Sequence, residues 1–334
     1  DEGDPGSYID KLILERDPHG LLEGMAIAGY AIGATRGVIY LRSEYPEAVD
    51  ILKAAIAEAE SDGVLGDSVL GTPFRFHVEL FLGSGAYVCG EETAMLRSIE
   101  GLRGEVSVRP PFPAEKGLYG KPTVVNNVET LANCGWILEH GGAAYAAVGV
   151  GKSLGTKAVS LNSLFVRPGL YEVPLGVTLD YVCNTLGGGL REGLEMKGIQ
   201  VGGPMGGILP PSLFDTPLGF EELAAVGGLL GHGGIVAFSQ HDQMLDLARH
   251  FFQFTADESC GKCVPCRIGS VRGVEMVDRI AAGQWAPAEA LPRMEELLET
   301  MELGSLCALG GGVPAALYSI LRHYRGDLVA ADRP

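Results

Sequence analysis

The sequence predicts an α/β region, then a small mixed α+β module, then an all-α region that fits a four-helix bundle. Three observations predict this order. Helical and strand-like stretches alternate through residues 1–155. Residues 156–238 hold short strand-like runs broken by turns and glycines, and residues 239–334 show four stretches of helical periodicity. We therefore expect three domains with these bounds.

The first half of the α/β region predicts a helix, a strand and a second helix in turn. Small and apolar residues recur at helical spacing over residues 20–34, and VIYLR at 38–42 is typical of a short strand. Residues 44–61 predict an amphipathic helix because four apolar side chains share one face: Val49, Leu52, Ile56 and Ala59.

A second strand, a glycine-rich loop and a further helix follow. FRFHVELFL at 74–82 alternates with the period of a strand, and GSGAYVCG at 83–90 forms the loop. Residues 91–101 predict a helix with acids in its first turn, where the helix dipole favours them. This layout is typical of a phosphate or dinucleotide site. The loop does not have the G-x-G-x-x-G spacing, so a standard Rossmann fingerprint is excluded.

The middle module is expected to contain one helix, over VTLDYVCNTLGGG, and to close with the strand HGGIVAF at 232–238. The all-α region predicts four helices, over residues 244–256, 267–282, 287–301 and 313–324.

Composition excludes several classes of partner. The formal net charge of −17 disfavours nucleic acid and anionic membrane surfaces, because phosphates repel an acidic protein. No window is apolar enough to cross a bilayer, so we expect no direct membrane insertion. Seven cysteines among 334 residues do not resemble a secreted disulfide framework, and a reducing cytoplasm is the expected location.

Three cysteines at two-residue spacing, Cys260, Cys263 and Cys266, are followed by a distant fourth, Cys307. Structural zinc sites usually pair two separated knuckles, whereas three close thiolates plus a remote one are typical of a [4Fe–4S] cubane. Zinc, or an ordinary buried role, remains the alternative. Lys262 and Arg267 flank the run and would offset the cluster's negative charge. The other cysteines are expected to be small buried hydrophobes: Cys89, Cys134 and Cys183.

Several polar residues near the glycine-rich loop are ambiguous when each is taken alone. Glu91 and Glu92 could be ordinary first-turn acids of a helix. The pair Asn126 and Asn127 could be a turn and a helix cap. The acids of DEGDPG at 1–6 could be solvated turn residues.

Taken together, these stretches resemble a known family. Five segments of this chain occur in the same order in the NADH-binding flavoprotein subunit of respiratory complex I and in the diaphorase subunits of NAD-reducing hydrogenases and NAD-dependent formate dehydrogenases: DEGDPG, ERDPHGLLEGMAIAGYAIGA, GSGAYVCGEETAML, PPFPAEKGLYGKPTVVNNVETL and ESCGKCVPCRIGS with Cys307. The resemblance covers nearly the whole chain.

The resemblance implies FMN, NAD(H) and a [4Fe–4S] cluster as cofactors. It implies a modified Rossmann-like FMN/NAD(H) domain over residues 1–155, a β-grasp-like module over 156–238 and a four-helix cluster domain over 239–334. The family has a further glycine-rich loop upstream of DEGDPG, so the first domain is expected to lack its N-terminal part here.

The resemblance also implies a set of binding residues and no catalytic acid or base. Glu2 and Glu92 match carboxylates close to the nicotinamide ribose, and Phe112 matches an aromatic on which adenine stacks. Arg109 stands where relatives often have lysine. A preference for NAD(H) over NADP(H) follows, because carboxylates bind ribose hydroxyls and repel a 2′-phosphate. The other residues implied in the flavin and nucleotide pocket are Asp1, Tyr87, Gly90, Glu91, Asn126, Asn127 and Thr130.

Partners are implied as well: a thioredoxin-like [2Fe–2S] subunit and a larger iron–sulfur catalytic subunit. The stretches DEGDPGSYIDK and PPSLFDTPLGFEELAAVGGLLGHGGIVAF are most similar to the soluble diaphorases, and among these to the β subunit of a molybdenum- or tungsten-dependent formate dehydrogenase. The alternatives are a hydrogenase diaphorase, complex I, a quinone or ferredoxin reductase, and a structural scaffold without turnover.

Overall fold

A computed structural model describes residues 1–329; the last five residues of the predicted 239–334 domain lie outside the described residues. The chain forms two compact units. Unit 1 comprises Asp1–Gly3, Tyr8–Gly104 and Arg109–Ala147. Unit 2 comprises Asp4–Ser7, Glu105–Val108 and the described residues from Val148 onward. The predicted boundaries after residues 155 and 238 stay a prediction.

Unit 1 is an α/β structure built on two parallel strands. Strand β1 (Arg36–Arg42) pairs with β2 (His77–Gly83) in a register that runs from Arg36 opposite His77 to Arg42 opposite Gly83. Its helices are α1 (Ile9–Arg16), α2 (Pro18–Ile32), α3 (Pro46–Ser61), α4 (Glu92–Ile99), α5 (Pro113–Lys116), α6 (Val128–His140) and α7 (Gly142–Ala146).

Local sequence signals explain the bounds of α2. The Asp17 carboxylate accepts a hydrogen bond from the Gly20 amide at 3.1 Å, and Pro18 takes the first helical position. The helix ends at Gly33, whose φ of +73° favours glycine. Within the helix, Gly24 allows close packing on α6, because a Cβ there would lie 2.0 Å from the Leu131 carbonyl oxygen.

Strand β2 begins three residues later than the sequence predicts. Phe76 pairs with Gly66 instead, through two backbone hydrogen bonds of 2.8 and 2.9 Å. The strand alternation that begins at Phe74 therefore includes an antiparallel bridge outside the parallel pair. The core between α1–α3 and the two strands is apolar and includes Leu21, Leu52, Ile39, Leu41 and Val78.

The first part of unit 2 is a small hairpin, β3 (Gly149–Val150) with β4 (Ser153–Leu154), followed by a five-stranded mixed sheet. The strands of the sheet are β5 (Thr156–Leu161), β6 (Gly169–Pro174), β7 (Met196–Val201), β8 (Ile208–Leu209) and β9 (Gly234–Ser239). Their order is β6-β5-β9-β7-β8; only β5 and β9 are parallel, and the other neighbours are antiparallel. The predicted middle helix is a π-helical turn over Tyr181–Leu186, and α8 (Phe220–Ala225) precedes β9.

The rest of unit 2 is helical. Its helices are α9 (Met244–Glu258), α10 (Val264–Ala281), α11 (Pro287–Gly304), α12 (Ala308–His323) and α13 (Arg325–Val329). Gly273 on α10 contacts the ring of the buried Phe252 on α9 so closely that a Cβ would lie 2.2 Å from Cδ1. The α/β and all-α classes predicted from the sequence are confirmed by these two units. Across residues 1–329, no helix combines the length and apolar character that crossing a bilayer requires.

Candidate functional site

Three of the predicted pocket residues meet beside the glycine-rich loop that follows β2. The loop ends in a 3₁₀ turn over Tyr87–Gly90, directly before α4. A Cβ at Gly3 would lie 2.8 Å from Asp1 Oδ2 and 3.1 Å from the Tyr87 ring. A Cβ at Gly90 would lie 3.8 Å from the Asp1 Cβ. The structure therefore brings Asp1, Tyr87 and Gly90 together around bare backbone.

Asp1 supplies the clearest sign that this surface receives a polar ligand. Both of its carboxylate oxygens are buried, and within residues 1–329 neither has a hydrogen-bond partner. A buried carboxylate without donors is costly, and native structures normally satisfy such groups. Hydroxyl or amide donors of a flavin or nucleotide would satisfy it, so the residues present fit the predicted cofactors.

Glu2 is fixed by the start of α1. Its two carboxylate oxygens accept hydrogen bonds from the amides of Asp10 (2.7 Å) and Lys11 (2.9 Å), and from the Tyr45 hydroxyl (3.1 Å). Arg42 donates to its carbonyl oxygen at 3.0 Å. Glu2 also has a φ of +47°, which is uncommon for a residue with a side chain. The carboxylate thus caps a helix rather than being a solvated turn acid.

Asp10 links Glu2 to Asn127. The Asn127 amide nitrogen donates to Asp10 Oδ2 at 2.7 Å, while its oxygen accepts from the Glu129 amide at 2.9 Å and caps α6. Burial and the charge of Glu2 raise the pKa of Asp10, the Asn127 hydrogen bond opposes them, and the net result is a pKa of about 6. Sequence reasoning missed Asp10, because its partner Asn127 is 117 residues away and no local motif marks it.

The adjacent residues Glu91 and Glu92 have different roles. Glu91 caps α4, and its Oε2 accepts from the amides of Thr93 and Ala94, both at 2.9 Å. Glu92 instead pairs with Arg109, whose Nη1 lies 2.5 Å from Glu92 Oε1. Arg109 lies 4.0 Å from Glu91, at the limit of an ion pair. The cap role expected as the alternative holds for Glu91, whereas Glu92 faces a cation.

The structure does not gather the remaining predicted residues. Phe112, immediately before α5, is 52% exposed. Asn126 and Thr130 are also exposed. In the part of the chain that the structure describes, no side-chain hydrogen bond joins these three to the other predicted pocket residues. An exposed aromatic ring is suited to stacking on a base, so Phe112 fits its predicted role.

Three of the four cluster cysteines lie at the starts of two helices, and the fourth lies in a loop. Cys263 directly precedes α10 and Cys266 lies in its first turn, because this helix begins at Val264 and not at the predicted Arg267. Cys307 directly precedes α12, and Cys260 lies in the loop after α9. Helix N-termini favour negative charge, which opposes the cost of burying a thiolate at these positions.

Burial and the neighbouring Cys263, Cys307 and Cys260 raise the pKa of the Cys266 thiol, a contact of 3.4 Å with the Ser259 hydroxyl opposes them, and the net pKa is about 11. A Cβ at Gly310, in the first turn of α12, would lie 3.0 Å from Cys266 Sγ, so the starts of α10 and α12 lie side by side. Yet no three His, Cys, Asp or Glu side chains among the described residues are arranged to hold one metal ion. Four thiolates that each bind a separate iron are spread more widely than ligands of one zinc, so the arrangement fits a [4Fe–4S] cluster better.

The two flanking cations are already engaged. Lys262 lies 3.7 Å from Glu105, and Arg267 donates to the Gly261 carbonyl. Of the three other cysteines, Cys89 and Cys183 are buried as expected. The prediction is wrong for Cys134, which is only partly buried because α6 contributes no buried residue to unit 1.

Comparison with known families matches both ends of the chain. Residues 1–136 match the Nuo51 FMN-binding domain. Residues 246–331 match the NADH-ubiquinone oxidoreductase-F iron-sulfur binding region. The predicted cofactors, FMN, NAD(H) and a [4Fe–4S] cluster, are thereby confirmed.

Whole-chain relatives agree. The chain is 46% identical over 330 residues to the HndC subunit of the NADP-reducing hydrogenase of Solidesulfovibrio fructosivorans, covering 99% of this chain and 67% of the relative. It is 39% identical over 331 residues to the F component of the NADH-quinone oxidoreductase of Escherichia coli, covering 99% and 74%.

A solved structure of an NAD⁺-reducing [NiFe]-hydrogenase matches with a TM-score of 0.90 at 37% identity. It covers 100% of this chain, which spans only 56% of that chain's length. The chain therefore belongs to the family of NADH-binding FMN/[4Fe–4S] flavoprotein subunits that serve NADH-quinone oxidoreductases and related hydrogenase diaphorases.

Proposed function

We propose that this chain exchanges a hydride between NAD(H) and FMN and single electrons with its [4Fe–4S] cluster, as the diaphorase subunit of a cytoplasmic NAD-dependent formate dehydrogenase. One observation carries the redox role: the same chain holds a four-cysteine site and a glycine-rich loop that lies beside Asp1. The buried carboxylate of Asp1 has no hydrogen-bond donor among residues 1–329. Similarity of residues 1–11 and 210–238 to soluble diaphorases supports the choice of complex.

In the α/β unit, the chain's own side chains position the nucleotide. Asp1 accepts hydrogen bonds from the ligand, and Tyr87 and Gly90 leave room for a flat ring system against the backbone. Bound FMN supplies the capacity to take two electrons as a hydride and release them singly. The side chains of Asn126 and Thr130 are exposed polar groups available to the same ligand.

Glu2, Glu91 and Asn127 support the site indirectly, through the helices that they cap. Each caps a helix, so each helps to fix the start of that helix. Phe112 offers an exposed ring on which adenine can stack. No side chain in this scheme transfers a proton, because hydride transfer between two bound cofactors needs alignment and exclusion of water rather than an acid or base.

In the bundle, Cys260, Cys263, Cys266 and Cys307 hold the cluster, each through one thiolate. Deprotonation of the buried Cys266 thiol accompanies cluster assembly, since thiolates and not thiols bind iron. A cluster that carries single electrons needs a redox partner in a neighbouring subunit. We propose a thioredoxin-like [2Fe–2S] subunit and a larger iron–sulfur catalytic subunit carrying molybdenum or tungsten as the partners.

A hydrogenase diaphorase is the second candidate. It is favoured by the 46% identity to a hydrogenase subunit, against 42% and 39% to two NADH-quinone oxidoreductase subunits. The module would work identically in both complexes, because electrons enter and leave through the same cofactors. The complexes differ only in the subunit that oxidises the terminal donor.

The test is reduction of NAD⁺ by the native complex, purified without oxygen, with formate and hydrogen as parallel donors. Formate-dependent reduction would support the proposal, and reduction with hydrogen alone would replace it with the second candidate. If neither donor reduces NAD⁺ but the preparation still oxidises NADH with ferricyanide, the result would point to a complex I-type assembly. Absence of flavin absorbance in a folded preparation would reject the redox role itself.

A further inference from the structure

A serine hydroxyl lies against the sulfur of one cluster cysteine, inside unit 2. Ser259 directly follows α9, seven residues before Cys266, and its Oγ lies 3.4 Å from Cys266 Sγ. Cys266 is buried and Ser259 is half-buried. Either atom of this pair could be the donor while the thiol keeps its proton. A thiolate that binds iron has no proton, so the serine must then donate and the sulfur must accept.

A second hydrogen bond leaves the Ser259 proton available for this sulfur. The Gly261 amide donates to Ser259 Oγ at 3.2 Å, so the hydroxyl oxygen already acts as an acceptor. A hydroxyl has one proton and can donate one hydrogen bond while it accepts others. The turn closed by the Gly261 amide spans Cys260, so Ser259 also has a structural role in the cysteine loop. A test must therefore separate an effect on the sulfur from an effect on the loop.

The sulfur of Cys307 receives its hydrogen bonds from the backbone instead. The amides of Leu309 and Gly310, at the start of α12, donate to it. Backbone amides are present whatever the side chain, except in proline, whereas the donor to Cys266 is a side chain that a single substitution removes. The four-cysteine site thus contains a sulfur whose hydrogen bonding can be changed without altering the backbone.

Hydrogen bonds to its sulfurs help to set the reduction potential of an iron–sulfur cluster. Reduction adds one electron, supplied by NADH oxidation, and breaks no bond. The added negative charge is shared by the sulfur ligands, so a donor aimed at one of them stabilises the reduced state more than the oxidised state. We propose that Ser259 is a positioning residue that acts through Cys266: its hydrogen bond to the sulfur raises the reduction potential of the [4Fe–4S] cluster. This inference rests on the proposed role of Cys266 as a cluster ligand.

The test compares Ser259→Ala with Ser259→Thr in the intact complex, purified without oxygen. Redox titration followed by paramagnetic resonance measures the midpoint potential of this cluster, and the signal that Cys307→Ala removes distinguishes it from clusters of partner subunits. In Ser259→Ala we expect the equilibrium constant for reduction to fall roughly three- to tenfold, as for one lost hydrogen bond, which lowers the potential of a one-electron couple by about 30 to 60 mV. Ser259→Thr keeps a hydroxyl and should restore most of the potential.

Ser270→Ala is the matched control. Ser270 is buried on the same helix as Cys266, and its hydroxyl donates to the Cys266 carbonyl oxygen at 2.8 Å rather than to the sulfur. The substitution removes a hydroxyl that is bonded to the same cysteine but takes no donor away from the sulfur, so the midpoint potential should stay unchanged. An equal fall in this control would mean that loosening of α10 produces the effect, and it would overturn the proposal.

The midpoint potential separates the two roles of Ser259. If the serine only shapes the cysteine loop, Ser259→Ala will reduce the amount of cluster that is loaded but leave the potential of the loaded fraction unchanged, and the proposal is wrong. A potential that is equally low in Ser259→Thr would also contradict it.

A second measurement needs no variant, should Ser259→Ala fail to load its cluster. Electron–nuclear double resonance of the unmodified complex, after brief exchange into heavy water, detects exchangeable protons that couple to the reduced cluster. A coupled proton that exchanges as fast as a hydroxyl would support the proposal, and its absence would overturn it. Failure of the proposed function is distinguishable, since the unmodified complex would then give no [4Fe–4S] signal at all, and this inference would fall with it.

Discussion

The thiols of the bundle and the carboxylates beside the glycine-rich loop are held in different ways. Cys266 is buried in the first turn of α10, and Cys307 is partly buried directly before α12. Burial raises the pKa of both thiols, and backbone hydrogen bonds from Leu309 and Gly310 offset only part of the rise in the pKa of Cys307. Glu2 and Glu91 also stand at helix starts, but they accept hydrogen bonds from first-turn amides. One set of groups is desolvated without full compensation, and the other is satisfied by the protein's own backbone.

The cluster cysteines therefore need a bound cofactor, whereas the capping carboxylates hold the surrounding helices in place. A desolvated thiolate is unfavourable until iron binds it, so the ligand form of the bundle's site depends on its cluster. Capping carboxylates stabilise the fold with or without a ligand. Asp1 is the exception in unit 1, because its buried oxygens have no donor within residues 1–329. Four predictions sharpen this contrast.

The largest effect is expected at the cluster. Cys307→Ala removes one of four thiolates and should abolish the paramagnetic resonance signal of this [4Fe–4S] cluster, while flavin absorbance remains. Electron transfer from NADH to the partner subunits should be lost, and ferricyanide reduction directly from the flavin should persist. Cys134→Ala, at a partly exposed thiol outside the cluster, is the control and should change neither. An intact cluster signal in Cys307→Ala would refute the ligand set.

The second effect concerns pH and Asp10. A carboxyl whose pKa is raised from 3.8 to about 6 on folding binds its proton more tightly in the folded state. Its stabilisation is full below pH 4 and is lost as pH rises through about 6. The free energy of unfolding should therefore fall by up to about 3 kcal/mol more in the unmodified chain than in Asp10→Asn between pH 4 and 7.

Urea denaturation at a series of pH values measures this difference. The exposed Asp62, changed to asparagine, serves as the control and should follow the unmodified chain. Parallel curves for the unmodified chain and Asp10→Asn would contradict the raised pKa of Asp10.

The third effect tests packing inside the bundle. Gly273→Ala would place a Cβ 2.2 Å from Cδ1 of Phe252, whose ring is fully buried and cannot move aside. Overpacking of this kind costs about 1–3 kcal/mol. Gly326→Ala, where a Cβ meets nothing within 4 Å, should cost no stability. Thermal unfolding of both variants checks the prediction; equal melting temperatures would show that α9 and α10 are less closely packed than described.

The smallest effect separates the two adjacent glutamates. Glu91→Ala removes the cap of α4 and should lower the free energy of unfolding by about 1 kcal/mol. Glu92→Ala breaks only a partly exposed ion pair and should cost less, of the order of 0.5 kcal/mol. Denaturant titration compares them. The reverse order would mean that Glu92, and not Glu91, is the structural member of the pair.

Local patterns predicted much of the fold. Helix and strand periods predicted α2, α3, β1 and the four long helices of the bundle to within five residues at each end. They could do so because the spacing of apolar residues over a short stretch of sequence determines an amphipathic face. The starts of α10 and α12 were misplaced by three and five residues. Cys266 belongs to the run of three closely spaced cysteines and also lies in the first turn of α10, and the cysteine spacing alone does not indicate the helix. The bridge between Gly66 and Phe76 was missed because it joins separated segments.

The sequence by itself determined the cysteine set, the glycine-rich loop and the family, since each is encoded by residue type and spacing along the chain. Only the tertiary structure decided which polar groups are satisfied. It assigned Glu91 to a cap and Glu92 to Arg109, and it joined Asp10 to Asn127 across 117 residues. It also buried the carboxylate oxygens of Asp1 with no donor among residues 1–329. The reason is physical: hydrogen bonds and burial depend on distances between remote segments, which are fixed only when the chain is folded.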